Sequence, residues 1–181
     1  MIDNSSIVDS LNDKLATLME IAALVNSNHS LDVVVQRAVQ SACRLTGAET
    51  GSLMLLDTIN QELYFEIVLG QHKNDLKELR IPKRHGIGGW VVEHNMPMIV
   101  PDVQADSRFY RVADETINFV TRSMIAVPLC VKGRVIGVLQ SINKQSGEFD
   151  HADLKLTVAL ANLVAPAIDE NLNRWMPSTP G

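Results

Sequence analysis

Residues 123–144 read "SMIAVPLCVKGRVIGVLQSINK", and their reading decides the fold. Two runs rich in Val, Ile and Leu flank Lys132-Gly133. A two-residue turn ending in glycine between β-forming runs is the signal for a tight antiparallel hairpin. Upstream, "TGSLMLLDTINQELYFEIVLG" (Thr50–Gly70) repeats the pattern, with two apolar strands around "DTINQ". Two hairpins of this kind imply an antiparallel sheet. Between them lie a polar stretch, a short "LRIP", a short helix expected from about Ile87 to Asn95, and a brief strand "MIV" bracketed by Pro97 and Pro101. The segment from Asp102 to Arg122 reads as a loop with a short helix. Helices frame the whole. One runs from Ser30 to Gly47 with the apolar face Leu31, Val34, Val35, Ala38, Ala42 and Leu45. Another runs from Asp150 to about Trp175, with Pro166 expected to kink it. The fold class is therefore α+β, an antiparallel sheet layered with helices.

Composition narrows the function classes. The chain has 181 residues, 46% hydrophobic and 20% charged, which is globular composition with room for one domain and flanking helices. The net charge of −5 argues against nucleic acid and anionic membrane as main partners. No apolar run approaches the roughly 18 residues of a membrane span, and no signal peptide is recognisable. The expected compartment is the cytoplasm. The two cysteines, Cys43 and Cys130, form neither metal spacing nor a disulfide framework. No metal and no cofactor is expected.

The N-terminal residues carry an apolar seam at Val8, Leu11, Leu15, Leu18, Ala22 and Val25, spaced 3-4-3-4-3. That is a coiled-coil pattern, and it predicts a homodimer through the terminal helices. A second, poorer seam runs Leu154, Thr157, Ala161, Val164, Ile168, Asn171 and Trp175. Val164 and Ile168 are assigned to the same interface. The expected organisation is a signalling and dimerisation helix over 1–28, a domain over 29–175 and a tail or linker over 176–181.

The stretch "RHGIGGWVVEH" (Arg84–His94) places three glycines in four positions. It is not a Walker loop, because Gly89 is followed by Trp90 and not by Lys-Ser/Thr. It lacks the last glycine of a dinucleotide fingerprint and the βαβ context. His85 and His94 have no cysteine or carboxylate at ligand spacing, so zinc is not supported. What remains is a turn and helix start where small residues permit close backbone approach. No G-x-S-x-G elbow and no H-E-x-x-H is present, and nothing names an enzyme.

Four pieces in order carry a resemblance: "GSLMLLD", "LRIPKRHGIGGWVVEHNMPMIVPDVQADSRFYR", "TRSMIAVPLCVKGRVIGVLQSINK" and "FDHADLKL". Together, from about Leu31 to Ile168, they resemble the GAF domain family. The resemblance implies a PAS-related central antiparallel sheet of about six strands, helices on one face and a small-ligand pocket on the other. It also implies a role as a regulatory sensor in signal transduction, as in phosphodiesterases, phytochromes, histidine kinases and diguanylate cyclases. Such domains bind small molecules or dimerise, and control a downstream output domain.

By the same resemblance, Ser52, Leu69, Ile87, Gly88, Asp114, Ile117 and Thr121 stand at ligand-contacting positions. Phe65, Trp90, Phe109, Tyr110 and Ser123 complete the expected pocket, which lies between the sheet and the crossover from Ile87 to Thr121. Leu69 and Ile117 replace polar residues of cyclic-GMP binders. Apolar side chains there cannot pair with guanine-edge donors, which argues against cyclic GMP and for a different or more apolar ligand. Asn143, Lys144, Phe149 and Asp153 match a family signature, with Leu154 where the signature has glutamate. The resemblance makes Lys144 and Asp153 a structural ion pair. Two alternatives to the sensor are a small enzyme of the free methionine sulfoxide reductase type and a ligand-free assembly module. The dispersed cysteines argue against the first.

Overall fold

The computed structural model describes residues 4–27, 29–70 and 75–175. The expected tail over 176–181 and part of the polar stretch, residues 71–74, lie outside the described residues. Chain order is α1 (Asn4–Val25), α2 (Leu31–Thr46), β1 (Ala48–Asp57), β2 (Glu62–Val68), β3 (Arg80–Pro82), α3 (Gly86–His94), β4 (Met98–Val100), α4 (Val112–Ile117), β5 (Met124–Val131), β6 (Arg134–Lys144) and α5 (His151–Trp175). The strands form one six-stranded sheet in the order β3-β2-β1-β6-β5-β4, with every neighbouring pair antiparallel. The α+β expectation holds.

Both hairpins form where the turn chemistry places them. Lys132 (φ 50) and Gly133 (φ 80) take the two left-handed positions of the β5–β6 turn, the geometry that matches strand twist. At the β1–β2 turn the Asp57 carboxylate accepts the backbone N–H groups of Ile59 and Asn60. α2 ends on Gly47 at φ 62, whose N–H closes on the Cys43 carbonyl. Ser30 is extended at the start of α2, but its side chain makes no cap hydrogen bond.

The central strands are long and buried on both faces, so alternate residues enter different cores. Leu53, Leu55, Ile125, Val127 and Leu139 pack on the layer formed by α2 and α5. Met54, Met124, Ala126 and Val138 belong to the opposite cluster with Ile87, Val91 and Val92 of α3. α1 lies outside, on α2 and α5. α5 continues through the exposed Pro166.

Two expectations for the helices are corrected. Val164 and Ile168 are each 0% exposed within the core of a single chain, so neither is available to a second copy. The 3-4 spacing in α5 records its packing on its own sheet. In α1 the seam divides. Val8, Leu11 and Leu15 are 54%, 65% and 55% exposed. Leu18 and Val25 pack against the domain core, and Ala22 is half-buried.

Candidate functional site

On the face of the sheet opposite α2 and α5 lies a cavity of about 480 Å³. Its floor is sheet: Ser52 and Met54 from β1, Phe65 and Val68 from β2, Met124 from β5, Gln140 and Ile142 from β6. One wall is the start of α3. The roof is the segment from Phe109 to Thr121, which includes α4. A volume of this size is typical of small-molecule sites, as are mostly apolar walls with few polar groups.

The glycine stretch builds the α3 wall by close approach. A Cβ on Gly88 would lie 2.7 Å from the Met54 methyl and 3.3 Å from Gln140 Nε2. A Cβ on Gly89 would lie 2.4 Å from the Lys83 carbonyl oxygen. Gly88 therefore opens the cavity to its floor, whereas Gly89 lets the helix fold back on the turn before it.

Gln140 is 5% exposed and faces the cavity. Its carbonyl oxygen accepts a hydrogen bond from the Ser52 hydroxyl at 2.8 Å. Its amide nitrogen donates to the Met124 sulfur at 3.4 Å. Thioether sulfur is a weak acceptor, so a buried amide with two N–H donors is left poorly satisfied.

A small set of hydrogen bonds holds the roof. The Asp114 carboxylate accepts from the Thr121 N–H at 2.7 Å and from the Thr121 hydroxyl at 2.6 Å. Asn143, fully buried at φ 59, accepts the Arg122 N–H at 2.6 Å and donates to the Val120 carbonyl at 3.0 Å. Gln104 donates to the Thr121 carbonyl at 2.8 Å, and Arg111 donates to the Gln104 side chain.

Ten of the twelve expected pocket residues line the cavity: Ser52, Phe65, Leu69, Ile87, Gly88, Phe109, Tyr110, Asp114, Ile117 and Thr121. Trp90 and Ser123 do not. Trp90 is half-buried against the same apolar cluster without reaching the cavity; the Arg108 guanidinium lies 5.0 Å from its ring and His94 stacks at 4.2 Å. Arg108 is itself held by Asp106 at 2.5 Å, a contact that keeps the Asp106 carboxyl below the usual carboxylate range. Ser123 uses its hydroxyl to accept the Lys144 N–H at 3.1 Å. Sequence reading missed Met54, Met124 and Gln140. Strand alternation carries all three: Met54 follows Ser52 by two residues, and Gln140 pairs with Ser52 in the register.

A family model described as GAF domain matches residues 30–168. The chain belongs to the GAF domain family. A probable 3′,5′-cyclic phosphodiesterase of Caenorhabditis elegans is 29% identical over 133 residues, covering 68% of this chain and 18% of that protein. The chain thus spans less than a fifth of that relative's length. The GAF domain of a phosphoenolpyruvate-protein phosphotransferase from Coxiella burnetii superposes with a TM-score of 0.81 at 21% identity, covering 91% of this chain and 97% of that one. A free methionine-R-sulfoxide reductase from Neisseria meningitidis superposes with a TM-score of 0.73 at 23% identity, covering 89% and 91%. At these identities the structural likenesses establish the fold alone.

In this GAF domain the signature residues do not line the cavity and belong to the framework. Lys144 Nζ donates to Asp153 at 2.6 Å and to the Thr46 carbonyl at 2.6 Å. Asp150 and Asp153 exchange backbone-to-carboxylate hydrogen bonds at 2.8 and 3.2 Å, capping α5. Lys144 also sits 5.6 Å from the Phe149 ring. Neither cysteine lines the cavity. Cys43 is on the helix side of the sheet, where burial pushes its thiol up to about 12. Among the described residues no helix is long and apolar enough to cross a membrane, and no cluster of metal-ligating side chains forms.

Proposed function

We propose that this GAF domain is the sensory module of a cytoplasmic signalling protein, binding a small molecule and controlling an output domain such as a histidine kinase. The observation that carries the reading is the 480 Å³ cavity with the under-satisfied Gln140 amide in its floor. A ligand acceptor opposite Gln140 would complete that hydrogen bond, and its apolar body would fill the rest. The roof is tied to the body by a small set of polar contacts, so filling the cavity alters the balance of those contacts. The effect reaches the terminal helices through the sheet, because β1, β5 and β6 carry cavity residues on one face and α2 and α5 on the other.

The terminal helices are the output. Val8, Leu11, Leu15 and Met19 (64% exposed) form an apolar stripe on the outer half of α1. A stripe of that kind on a helix is stabilised by a matching one from a second copy. Homodimerisation through α1, without α5, follows. The domain itself performs no chemistry in this reading. The reductase alternative would need a thiol at the cavity, and the two cysteines are elsewhere.

Native mass spectrometry of the purified protein tests both halves. The expected result is a dimer that retains a small molecule, with Leu11→Lys/Leu15→Lys giving monomers. A domain that is monomeric without mutation, and whose thermal stability responds to no small molecule, overturns the reading. A ligand at a hundredfold excess over Kd adds about 2.7 kcal/mol, which a thermal shift detects. Cyclic GMP is expected to give little shift, because Leu69 and Ile117 line the cavity with no guanine partner.

A further inference from the structure

We infer that the cavity selects a small organic cation: an ammonium or protonated amine carried on an apolar body, with Asp114 as its counter-ion. This rests on the reading of the cavity as a small-molecule site and specifies the chemistry of the occupant.

The ionic groups at the cavity point one way. Among the described residues that line it, the acidic side chains are Glu49 and Asp114, His85 is the one imidazole, and there is no lysine or arginine. Glu49 is already neutralised: Arg122 donates to it at 2.9 Å and Asn143 at 3.1 Å. Asp114 is not. Its two oxygens accept hydrogen bonds from Thr121 alone, and no cation lies within ion-pair distance among the described residues. The nearby guanidinium groups are used elsewhere, Arg108 on Asp106 and Arg111 on Gln104, and neither lines the cavity. The first turn of α3 supplies at most about half a positive charge, spread over its free N–H groups. A full negative charge at Asp114 outweighs it. A carboxylate or phosphate ligand would enter beside Asp114 with no lysine or arginine to meet it, and with only the His85 imidazole as a basic side chain in the lining. An organic cation would gain an ion pair in a partly desolvated setting, where such pairs are stronger than in water.

The aromatic residues point the same way. The chain has eight Phe, Tyr and Trp residues in all, and four of them line this one cavity: Phe65, Phe109, Tyr110 and Phe119. None of these four rings stacks on another. Aromatic faces attract ammonium groups through the ring quadrupole, by about 0.5–2 kcal/mol according to desolvation. Phe109 already attracts a cation, since the Arg111 guanidinium lies 5.5 Å from its ring. Aromatic lining, one unneutralised carboxylate and no lysine or arginine together make a cation site. Gln140, on the floor, adds a hydrogen bond for any acceptor on the ligand body.

Three probes of one shape and different charge test this: 2-phenylethylammonium, 2-phenylacetamide and phenylacetate. The methyl groups of Met54 and Met124 line the cavity and report occupancy by NMR on methyl-labelled protein. The expected result is that the ammonium shifts both methyls and binds at least about tenfold more tightly than phenylacetate, roughly 1.4 kcal/mol. Asp114→Asn keeps an acceptor for the Thr121 N–H. It should weaken the ammonium about tenfold and leave the neutral amide within about twofold. Glu49→Gln should change neither much, because Arg122 already screens that carboxylate. Phenylacetate binding as tightly as the ammonium overturns the inference while leaving a small-molecule site in place. Failure of all three probes to move either methyl at millimolar concentration overturns the site itself. The wild-type comparison stands without either variant.

Discussion

The two faces of one sheet are built to different rules. On the helix side, Leu53, Ile125, Leu139, Leu160, Val164 and Ile168 are each 0% exposed, and the buried Ser141 hydroxyl has no hydrogen-bond partner among the described residues. On the other side the same strands present Ser52, Met54, Met124 and Gln140 to a 480 Å³ cavity. Branched, stiff side chains fill the first face, and flexible thioethers and a buried amide line the second. Close packing supplies stability, and its absence leaves a place for something else. Strand alternation lets one backbone serve both ends, because neighbouring residues never compete for the same space.

The largest effect expected is on the packed face. Leu139→Ala should destabilise by about 3 kcal/mol, since helices α2 and α5 cannot both collapse onto the void. Met124→Ala, on the neighbouring strand and the cavity face, should cost roughly a third as much, because its side chain already borders open space. Urea unfolding of both variants measures the difference. Equal losses would break the comparison, and would mean that the cavity walls carry as much of the fold as the core does.

The next effect lies at the margin of the packed face. Lys144 and Asp153 are 18% and 6% exposed, so their pair is no surface ion pair. Asp153→Ala strips the cap interaction with Asp150 and leaves Lys144 with the Thr46 carbonyl and the Phe149 ring but no counter-ion. The expected loss is about 2–3 kcal/mol, discounted for the partial exposure of the lysine. Replacing both residues by Met and Leu should recover part of it in a double-mutant cycle. Full additivity of the two single losses would show that they act independently of each other.

The sheet and its hairpins were legible in the sequence because local rules fix them. Lys132-Gly133 admits one turn family, and Val- and Ile-rich runs of about eight residues have few other uses. The glycine stretch was legible in its negative reading, as a close approach in place of a phosphate loop. The helix seams were misread for a physical reason. A 3-4 repeat states that a helix has an apolar stripe, and says nothing about whose surface covers it. In α5 the cover is the chain's own sheet, so Val164 and Ile168 were assigned to the wrong partner. Trp90 escaped because α3 turns Ile87, Val91 and Val92 inward and leaves the indole for Arg108 and His94. Gln140 was legible only through register, once its strand had been paired with Ser52.

The smallest effect expected falls where the two faces meet. β2 carries a bulge against β1, between the pairs Leu53–Ile67 and Met54–Phe65, and Glu66 is the residue left over. Phe65 points to the cavity, while Glu66 faces a recess shared with Asp32, Gln36 and Lys77. Burial raises the Glu66 carboxyl above its ordinary value of 4.5, and the Asp32 charge raises it further, with Lys77 opposing. The folded state therefore holds this proton more tightly than the unfolded chain does. Below the unfolded value the group is protonated in both states and its protonated form favours the fold. As pH rises through the folded value that contribution is lost, and at neutral pH the ionised Glu66 is a liability. Glu66→Gln keeps the shape and removes the charge. It should raise the melting temperature at pH 7 by about 1–2 °C, an effect of about half a kcal/mol. The gain should vanish below about pH 4, where wild type is protonated too. A gain that persisted at low pH would place its origin in packing instead of charge. A loss at neutral pH would show that Lys77 depends on Glu66 more than burial penalises it.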